Sequence, residues 1–172
     1  MGPRKDISSM NWQVAMSADL EIIDTIGNEI HPTLPEREEV FAEKIRLFPE
    51  GALVLKQGET TVGYGISHPW LLYSIPHLDE FLIALPRSPT CLHIHDVVIL
   101  PQARGHGAFR SFVELVVRIA EKRQVAFVSL VSVYNTHTLW GRYGFDVVSN
   151  ELITKELKTY GDSARYMVRK LN

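Results

Sequence analysis

The strongest constraint on the fold of this chain is a strand, a glycine-containing turn and a long helix that follow one another directly. Residues 92–100 are almost continuously apolar, which is typical of a strand buried on both faces of a sheet. Pro101 ends this strand, and the turn 102–108 leads into a helix over 108–123 whose apolar positions recur every three or four residues. A buried strand joined to an amphipathic helix in this way predicts an α/β fold, in which helices cover a central sheet.

Periodicity elsewhere in the chain predicts that this sheet is mixed, with both parallel and antiparallel neighbours. Two helices are expected in the N-terminal part, and a hairpin follows them before the buried strand. Residues 69–90 contain four prolines and show no clear period, so we predict an irregular segment there. The other predicted elements are strands over 11–16, 52–56, 60–68, 126–133, 144–148 and 166–171, and helices that begin near Ser17, Thr33 and Asn135.

The second N-terminal helix carries the sequence signals of a helix start. Residues 33–36 (Thr-Leu-Pro-Glu) have the spacing of a capping box, with proline in the first turn. We therefore expect Glu36 to lie in the first turn of this helix, together with Glu38 and Glu39. Acidic side chains at that end interact favourably with the helix dipole.

Length and composition limit the class of protein. The 172 residues fit one domain, which we place at residues 11–172 after an N-terminal tail over residues 1–10. The formal charge of −2 argues against nucleic-acid binding, and no apolar run is long enough to span a membrane. The single cysteine, Cys91, excludes an intrachain disulfide and a cysteine-rich zinc site. Because residues 1–6 also lack the pattern of a signal peptide, we expect a cytoplasmic protein.

The turn between the buried strand and the long helix has the properties of an anion-binding site. Gly105 and Gly107 let the backbone come close to a phosphate, and the first turn of a helix has unpaired N–H groups and a partial positive charge. Arg104 adds a permanent cation, so the N–H groups of residues 103–108 could bind a pyrophosphate. The turn lacks the features of a P-loop and of a complete dinucleotide-binding fingerprint. The alternative is an ordinary turn that is rich in glycine.

Two motifs give the chain a resemblance to a known superfamily. The Q/R-x-x-G-x-G/A signature of the GNAT superfamily of N-acetyltransferases matches residues 102–108, and their later motif resembles residues 139–145. The resemblance implies a single-domain fold with a mixed sheet, two splayed parallel strands and flanking helices. It also implies acetyl-CoA as co-substrate and no metal. The residues that it assigns to acetyl-CoA are Val97, Val98 and Ile99 on the strand, Gln102, Ala103, Arg104, Gly105, His106, Gly107 and Ala108 in the turn, and Asn135 and Trp140 beyond it.

Two histidines are predicted to share one face of the buried strand. Side chains alternate along a strand, so His93 and His95 should point the same way, about 6–7 Å apart. Only a neutral amine attacks a thioester, and a histidine with a pKa of about 6.5 accepts the proton directly or through a water. The H-x-H pattern is also similar to that of the arylalkylamine N-acetyltransferases of the superfamily. The alternatives are two hydrogen-bonded core histidines, or half of a metal site for which no third ligand lies at local spacing.

Other groups near these motifs are candidates for the remaining roles in an acetyl transfer, which are to bind the oxyanion and to protonate the CoA thiolate. Asp96 is expected on the opposite face of the strand, in a structural role. A backbone N–H of residues 97–98 is a candidate donor to the oxyanion. The superfamily often uses a tyrosine of the later motif to protonate the CoA thiolate, but that position is Trp140, whose indole N–H is a donor only. Tyr143 is the catalytic residue expected in its place, with Tyr134 or water as alternatives.

The amine substrate is expected beside the irregular segment 69–90 or the helical segment 31–48. Residues 69–90 combine aromatic and acidic side chains, which bind cations through cation–π contacts and ion pairs. The alternative is a solvated loop that covers the sheet. The candidate substrate-binding residues are Trp70, Tyr73, Asp79 and Glu80.

These features together predict an acetyl-CoA-dependent N-acetyltransferase that acts on a small primary amine of the arylalkylamine or polyamine type. The amine is expected to attack the thioester directly in a ternary complex, and the protein to be a monomer or a homodimer. Two alternatives stay open. One is acetylation of a protein or peptide, which needs an open groove. The other is a non-catalytic acyl-CoA-binding sensor, which the tryptophan at the tyrosine position favours.

Overall fold

The computed structural model describes residues 9–172, which form both strands and helices. The order predicted from periodicity is confirmed, and one short helix is added near the C-terminus. The elements are β1 (Met10–Val14), α1 (Leu20–Ile30), α2 (Glu38–Leu47), β2 (Ala52–Gln57), β3 (Thr60–Trp70), β4 (Cys91–Ile99), α3 (Ala108–Lys122), β5 (Phe127–Ser132), α4 (His137–Gly141), β6 (Asp146–Val147), α5 (Thr154–Lys158) and β7 (Arg165–Lys170).

The predicted N-terminal tail is only partly covered by the structure. Residues 1–8 of that tail lie outside the described residues. Met10, which the prediction also assigned to the tail, pairs with Gln57 of β2. Within residues 9–172, none of the helices is both long and apolar enough to cross a membrane.

Within the described part of the chain, seven strands form one mixed sheet in the order β1-β2-β3-β4-β5-β7-β6. The neighbours β4 and β5 are parallel, and every other pair of neighbours is antiparallel. The apolar stripe of α3, including Phe112 and Val116, packs on one face of the sheet. Helices α1 and α2 cover the other face through Ile23, Ile26 and Phe41. This architecture confirms the predicted α/β fold with a mixed sheet and flanking helices.

The two parallel strands separate halfway along their length. Residues 91–94 of β4 pair with residues 127–130 of β5, and no further pairing between these strands follows in the described chain. Against β3, the register shifts at the same place, because Ile66 pairs with Asp96 while Ser67 pairs with Ile94. His95 is therefore the extra residue of a β-bulge, which bends the strand. The resulting V-shaped cleft between β4 and β5 confirms the predicted splay.

The start of α2 differs from the prediction. The helix begins at Glu38, and Arg37 has an extended backbone (φ −70°, ψ 150°) that no side chain caps. The capping box predicted over residues 33–36 is therefore wrong, and Glu36 precedes the helix. The physical reason is that the Glu36 carboxylate is buried under the sheet and accepts hydrogen bonds from other segments, as described below.

The segment after β3 crosses from α2 to the C-terminal part of the sheet. Residues 71–90 have no helix or strand, as predicted, and we call residues 71–83 the strap. Its apolar side chains Ile75 and Leu78 pack in a cluster with Tyr160 and Tyr166. Polar contacts hold the strap at both sides. Towards α2, Asp79 forms an ion pair with Arg37 (3.1 Å), and the N–H groups of Leu82 and Ile83 donate to Glu43. Towards the C-terminal part, the Tyr160 hydroxyl donates to the carbonyl of Pro76.

Candidate active site

The cleft between β4 and β5 continues into a cavity of about 540 Å³. Its outer end lies at the turn before α3, and its inner end is closed by side chains of the strap, of the segment before α2 and of Tyr160. The residues that line it include Ile94, His95, Asp96, Val97, Val98 and Ile99 of β4, Ala103, Arg104, Gly105, Gly107 and Ala108 of the turn, Leu130, Val131, Val133 and Tyr134 of β5 and its end, Trp140 and Tyr143, and His31, Leu34, Glu36, Phe41, Tyr64, Leu78 and Tyr160.

The outer end of the cavity is shaped for an anion. Gly105 (φ +81°) and Gly107 (φ +83°) have the left-handed backbone that glycine adopts most easily. A Cβ atom at either position would meet no other atom within 4 Å, so the space beside the backbone is open. Arg104 donates from Nε to the carbonyl of Ile99 (2.8 Å), which fixes its side chain along the strand end. The N-terminus of the 15-residue helix α3 follows directly and adds its partial positive charge.

The separated half of β4 offers backbone groups to a ligand. The N–H of Leu100 donates to Val62 of β3, and alternate residues of an antiparallel ladder face the same neighbour. Val98 therefore also faces β3, whereas Val97 and Ile99 direct their N–H and C=O groups into the cleft. Of the two candidate oxyanion donors in residues 97–98, only the N–H of Val97 is placed to bind a group in the cleft.

The far wall of the cleft is aromatic. Trp140 is buried and packs edge-on against Phe109 (4.8 Å between ring centroids) and Phe145 (5.4 Å). Tyr143 also lines the cavity and packs against Phe109 at 5.1 Å. Three of the residues predicted to bind acetyl-CoA do not line the cavity, and all three are exposed. They are Gln102, His106 and Asn135.

His95 forms a buried pair with a carboxylate at the inner end. Its Nε2 lies 2.7 Å from Oε1 of Glu36, and their side chains are 1% and 6% exposed. The backbone N–H of Asp79 donates to the other Glu36 oxygen. Burial raises the pKa of Glu36, but the charge and hydrogen bond of His95, with weaker contributions from Lys44 and the Asp79 N–H, lower it to about 2. No local pattern indicates this role of Glu36, because its partner lies 59 residues away along the chain.

His93 is not part of the cavity. Both its ring and that of His95 lie close to His68, with centroids 5.8 and 6.3 Å away, but His93 is 1% exposed and bonds through Nδ1 to the Ser129 hydroxyl (2.9 Å). Burial, together with His68, His95 and Lys44, lowers the pKa of His93 well below its ordinary value. This position does not support the interpretation of His93 as an acceptor of the amine proton, because no substrate reaches it.

A second histidine–carboxylate pair lies on the open side of the cleft. His31, at the C-terminal end of α1, lies 3.0 Å through Nε2 from Oδ1 of Asp96, and its Nδ1 lies 3.3 Å from the hydroxyl of Tyr134. The other Asp96 oxygen accepts from the hydroxyl of Tyr64. The expectation that Asp96 faces away from His95 is wrong, because the bulge breaks the alternation and turns Asp96 into the same cavity. Sequence spacing does not reveal His31, which is contributed by a distant helix.

The predicted substrate-binding residues lie outside the cavity. The ring of Trp70 packs edge-on against His68 (5.1 Å), and Tyr73 packs against Tyr166 (6.1 Å). Asp79 binds Arg37 in the strap, and Glu80 is exposed. Leu78 is the strap residue that reaches the cavity. The strap therefore closes the inner end, but through different side chains from those that its composition indicated.

Comparison with known proteins assigns the chain to a family. A family model described as "Acetyltransferase (GNAT) family" matches residues 18–145. The chain belongs to this acetyltransferase family. No curated protein matches the sequence of this GNAT protein. Its resemblance to the family, stated above from residues 102–108 and 139–145, is confirmed.

Solved structures share the fold at low sequence identity. Ard1 from Thermoplasma volcanium superposes with a TM-score of 0.73 and 15% identity, covering 95% of this chain and 98% of that chain. N-acetylglutamate synthase from Neisseria gonorrhoeae was solved with coenzyme A and N-acetyl-glutamate. It superposes with a TM-score of 0.73 and 16% identity, covering 95% of this chain and 35% of that chain. Naa50 from Arabidopsis thaliana, in complex with the bisubstrate analogue CoA-Ac-MVNAL, superposes with a TM-score of 0.67 and 12% identity. The match covers 93% of this chain and 97% of that chain.

The residues of the cleft fit acetyl-CoA, the co-substrate of the family. The open glycine backbone at residues 105 and 107 and the start of α3 would hold the diphosphate. On the edge of β4 beyond its pairing with β5, the N–H and C=O of Val97 and the N–H of Ile99 would bind the amide groups of the pantetheine arm. Bound there, acetyl-CoA supplies an activated acetyl group beside the N–H of Val97. Within residues 9–172, no group of three or more His, Cys, Asp or Glu side chains is placed to hold a metal ion.

Proposed function

We propose that this acetyltransferase transfers the acetyl group to the nitrogen of a small primary amine whose body is apolar. The observation that carries the proposal is the closed inner end of the cavity, where the His95–Glu36 pair meets an apolar wall. The amine attacks the thioester directly in a ternary complex, because the cavity wall has no cysteine to form an acyl-enzyme: Cys91 is buried outside it, and burial raises the pKa of its thiol to about 11.

Closure of the inner end favours a small substrate over a polypeptide. A peptide needs an open groove through which its chain continues beyond the reacting nitrogen. In this protein the strap is fixed to α2 by the Arg37–Asp79 ion pair and to the C-terminal part by the bond from Tyr160 to Pro76. A volume of about 540 Å³ also lies within the range of small-molecule sites, and part of it must hold the acetyl end of acetyl-CoA.

The lining favours a monoamine over a polyamine. Both carboxylates of the cavity, Glu36 and Asp96, already bind a histidine, so neither is free for a second ammonium group. The rest of the inner wall is apolar or aromatic, formed by Leu34, Phe41 and Leu78 with neighbouring tyrosines. An aromatic or branched hydrocarbon body matches this wall, whereas a second cation would be buried without a partner.

His95 is prepared to accept the amine proton. Because Glu36 is ionised and accepts a hydrogen bond from Nε2, that nitrogen carries the hydrogen, and in the neutral ring the lone pair lies on Nδ1. Nδ1 has no hydrogen-bond partner among the described residues. The ring is almost fully enclosed, so the proton reaches it through one bridging water. The N–H of Val97 binds the carbonyl oxygen of the acetyl group as negative charge develops there.

A peptide N-terminus is the second candidate acceptor. The observation that favours it is the likeness of the fold to Ard1 and to Naa50, the latter solved with a bisubstrate analogue that carries the sequence MVNAL. If a short peptide is acetylated faster than every small amine, the closed inner end has been misjudged and this candidate replaces the first.

The test is release of CoA from acetyl-CoA over a panel of phenethylamine, tryptamine, spermidine, an amino acid and a short peptide. We expect turnover with the first two compounds. His95→Gln should lower kcat by about 100-fold, the usual contribution of a general base. His77→Gln is the matched control, because that ring is more than half exposed and does not line the cavity, and it should stay within about twofold. Binding of acetyl-CoA with no CoA release from any compound would refute the proposal and indicate a sensor.

A further inference from the structure

Three side chains from separate segments form a hydrogen-bonded line across the open side of the cleft. Asp96 of β4 holds Nε2 of His31 at 3.0 Å, and Nδ1 of His31 meets the hydroxyl of Tyr134 at 3.3 Å, with the two rings stacked at 14°. We propose that Tyr134 is the acid that protonates the leaving sulfur of CoA, with His31 and Asp96 as the positioning residues that supply and hold its proton. This inference rests on the proposed acetyl transfer and names the group that completes it.

The surroundings of His31 favour its charged form. The carboxylates of Asp96 and Glu36 and the hydroxyls of Tyr64 and Tyr134 face it from the packed elements, and the carbonyl end of α1 adds a partial negative charge. Burial lowers the pKa of His31, but the hydrogen bond and charge of Asp96, with the charge of Glu36, raise it above the ordinary value. When both ring nitrogens carry hydrogen, both neighbours accept, and the hydroxyl hydrogen of Tyr134 is free to point into the cleft.

The position of Tyr134 suits a group that meets the sulfur. It follows β5 beyond the point where β4 and β5 stop pairing, and it lines the same cavity as Val97. Its side chain is 47% exposed and lines the cavity. Tyr134 has a left-handed backbone (φ 54°), which is strained for a bulky side chain and often occurs at functional sites.

Tyr143, the acid expected from sequence, has a weaker claim. Its ring also lines the cavity, but it packs against Phe109, and among the described residues no hydrogen bond joins its hydroxyl to a group that could return a proton. Tyr134 differs because its hydroxyl contacts His31, and His31 is paired in turn with the carboxylate of Asp96. Tyr134 therefore has a neighbour that can return its proton, whereas Tyr143 has none among the described residues.

The proton balance of the step closes without another reactant. The amine nitrogen forms a bond to the acetyl carbon, and the carbon–sulfur bond breaks with its electron pair on sulfur. Tyr134 transfers its hydroxyl proton to the sulfur and takes the Nδ1 proton of His31. The proton that the amine loses passes to His95 and then to solvent, from which His31 is protonated again.

The test compares Tyr134→Phe with Tyr143→Phe in the intact protein. We expect Tyr134→Phe to lower kcat by about 100-fold while the KM for acetyl-CoA stays within about twofold, because the contact matters only as the sulfur departs. Because Tyr134 is a half-exposed loop residue, this variant should fold. Wild-type kcat should fall as the pH rises through the pKa of His31, and this limb should be absent in Tyr134→Phe. A loss of rate in Tyr143→Phe with none in Tyr134→Phe would overturn the assignment.

A readout without turnover tests the positioning residues. The pKa of His31 is measured by NMR titration of its ring in the free protein, and Asp96→Asn should lower it by about 1 or more. If that variant does not fold, Tyr134→Phe should lower the same pKa, because the hydroxyl no longer accepts from Nδ1. An unchanged His31 pKa refutes the relay even if the rate falls. Absence of CoA release by the wild-type protein would instead refute the proposed function, and the acid assignment with it.

Discussion

Replacement of Glu36 by glutamine removes one buried charge from the fold. The change keeps the size of the side chain and one oxygen that can accept from His95, but it removes the negative charge and puts an NH2 group in place of the oxygen that accepts from the Asp79 N–H. The wild-type carboxylate is almost completely buried beside His95 and near Lys44. Glu36→Gln therefore changes how the stability of the protein depends on pH more than it changes the packing.

The magnitude follows from the pKa of Glu36. Folding lowers it from 4.5 to about 2, because the hydrogen bond and charge of His95 outweigh the cost of burial. By linkage, this difference corresponds to about 3 kcal/mol of stability. A carboxylate with a depressed pKa contributes this stability fully above the pKa of the unfolded chain. The contribution is lost as the pH falls from about 5 to about 2, where the folded protein also takes up the proton.

Urea unfolding at a series of pH values between 7 and 2 measures this effect. Over that range the wild-type free energy of unfolding should fall by about 3 kcal/mol more than that of Glu36→Gln. Glu39→Gln removes an exposed carboxylate from the first turn of α2, and it should follow the wild-type curve within about 0.5 kcal/mol. Parallel curves for wild type and Glu36→Gln would refute the reasoning, since they would show that Glu36 gains nothing from His95 on folding.

Three further substitutions test other parts of the structure. Gly107→Ala forces a side chain onto a left-handed backbone (φ +83°), so it should lower the free energy of unfolding by about 1 kcal/mol and weaken CoA binding by about tenfold in calorimetry. Gly65→Ala places a Cβ atom against the ring of Phe112 with no room between them, and thermal unfolding should show a loss of about 2 kcal/mol. His93→Gln disturbs the bond to Ser129 and should cost about 1 kcal/mol of stability, yet kcat should stay within about twofold. A loss of rate equal to that of His95→Gln would show that His93 takes part in the reaction.

Elements with a strong local period could be predicted from the sequence. The apolar positions of α3 recur on one side, and its buried residues Phe112, Val113 and Val116 are those that the period selects. The buried strand β4 and the hairpin of β2 and β3 were likewise predicted within one or two residues, because continuous apolar runs and a tight turn are local signals. The turn 102–108 was predicted for the same reason.

Contacts between distant segments could not be predicted in this way. Glu36 has the sequence surroundings of a helix start, and only the folded chain places it against His95. His31 and Tyr134 are 103 residues apart and meet because α1 ends above the point where β5 ends. The aromatic and acidic composition of residues 69–90 indicated a substrate site, but composition does not tell which side of an irregular segment faces the cleft. Leu78 faces it, and the acids do not.

The bulge at His95 links the two roles that the cleft needs. In a regular strand, His95 and Asp96 would point to opposite faces, and only one of them would reach the cavity. The extra residue turns both side chains to the same side and at the same point ends the pairing of β4 with β5, which opens the cleft. Each side chain then meets a different partner. The Glu36 carboxylate accepts from Nε2 of His95, whose Nδ1 has no partner among the described residues, whereas the Asp96 carboxylate favours a charged His31. One irregularity of the backbone therefore places an acceptor for the amine proton and a donor for the sulfur around the same acetyl group.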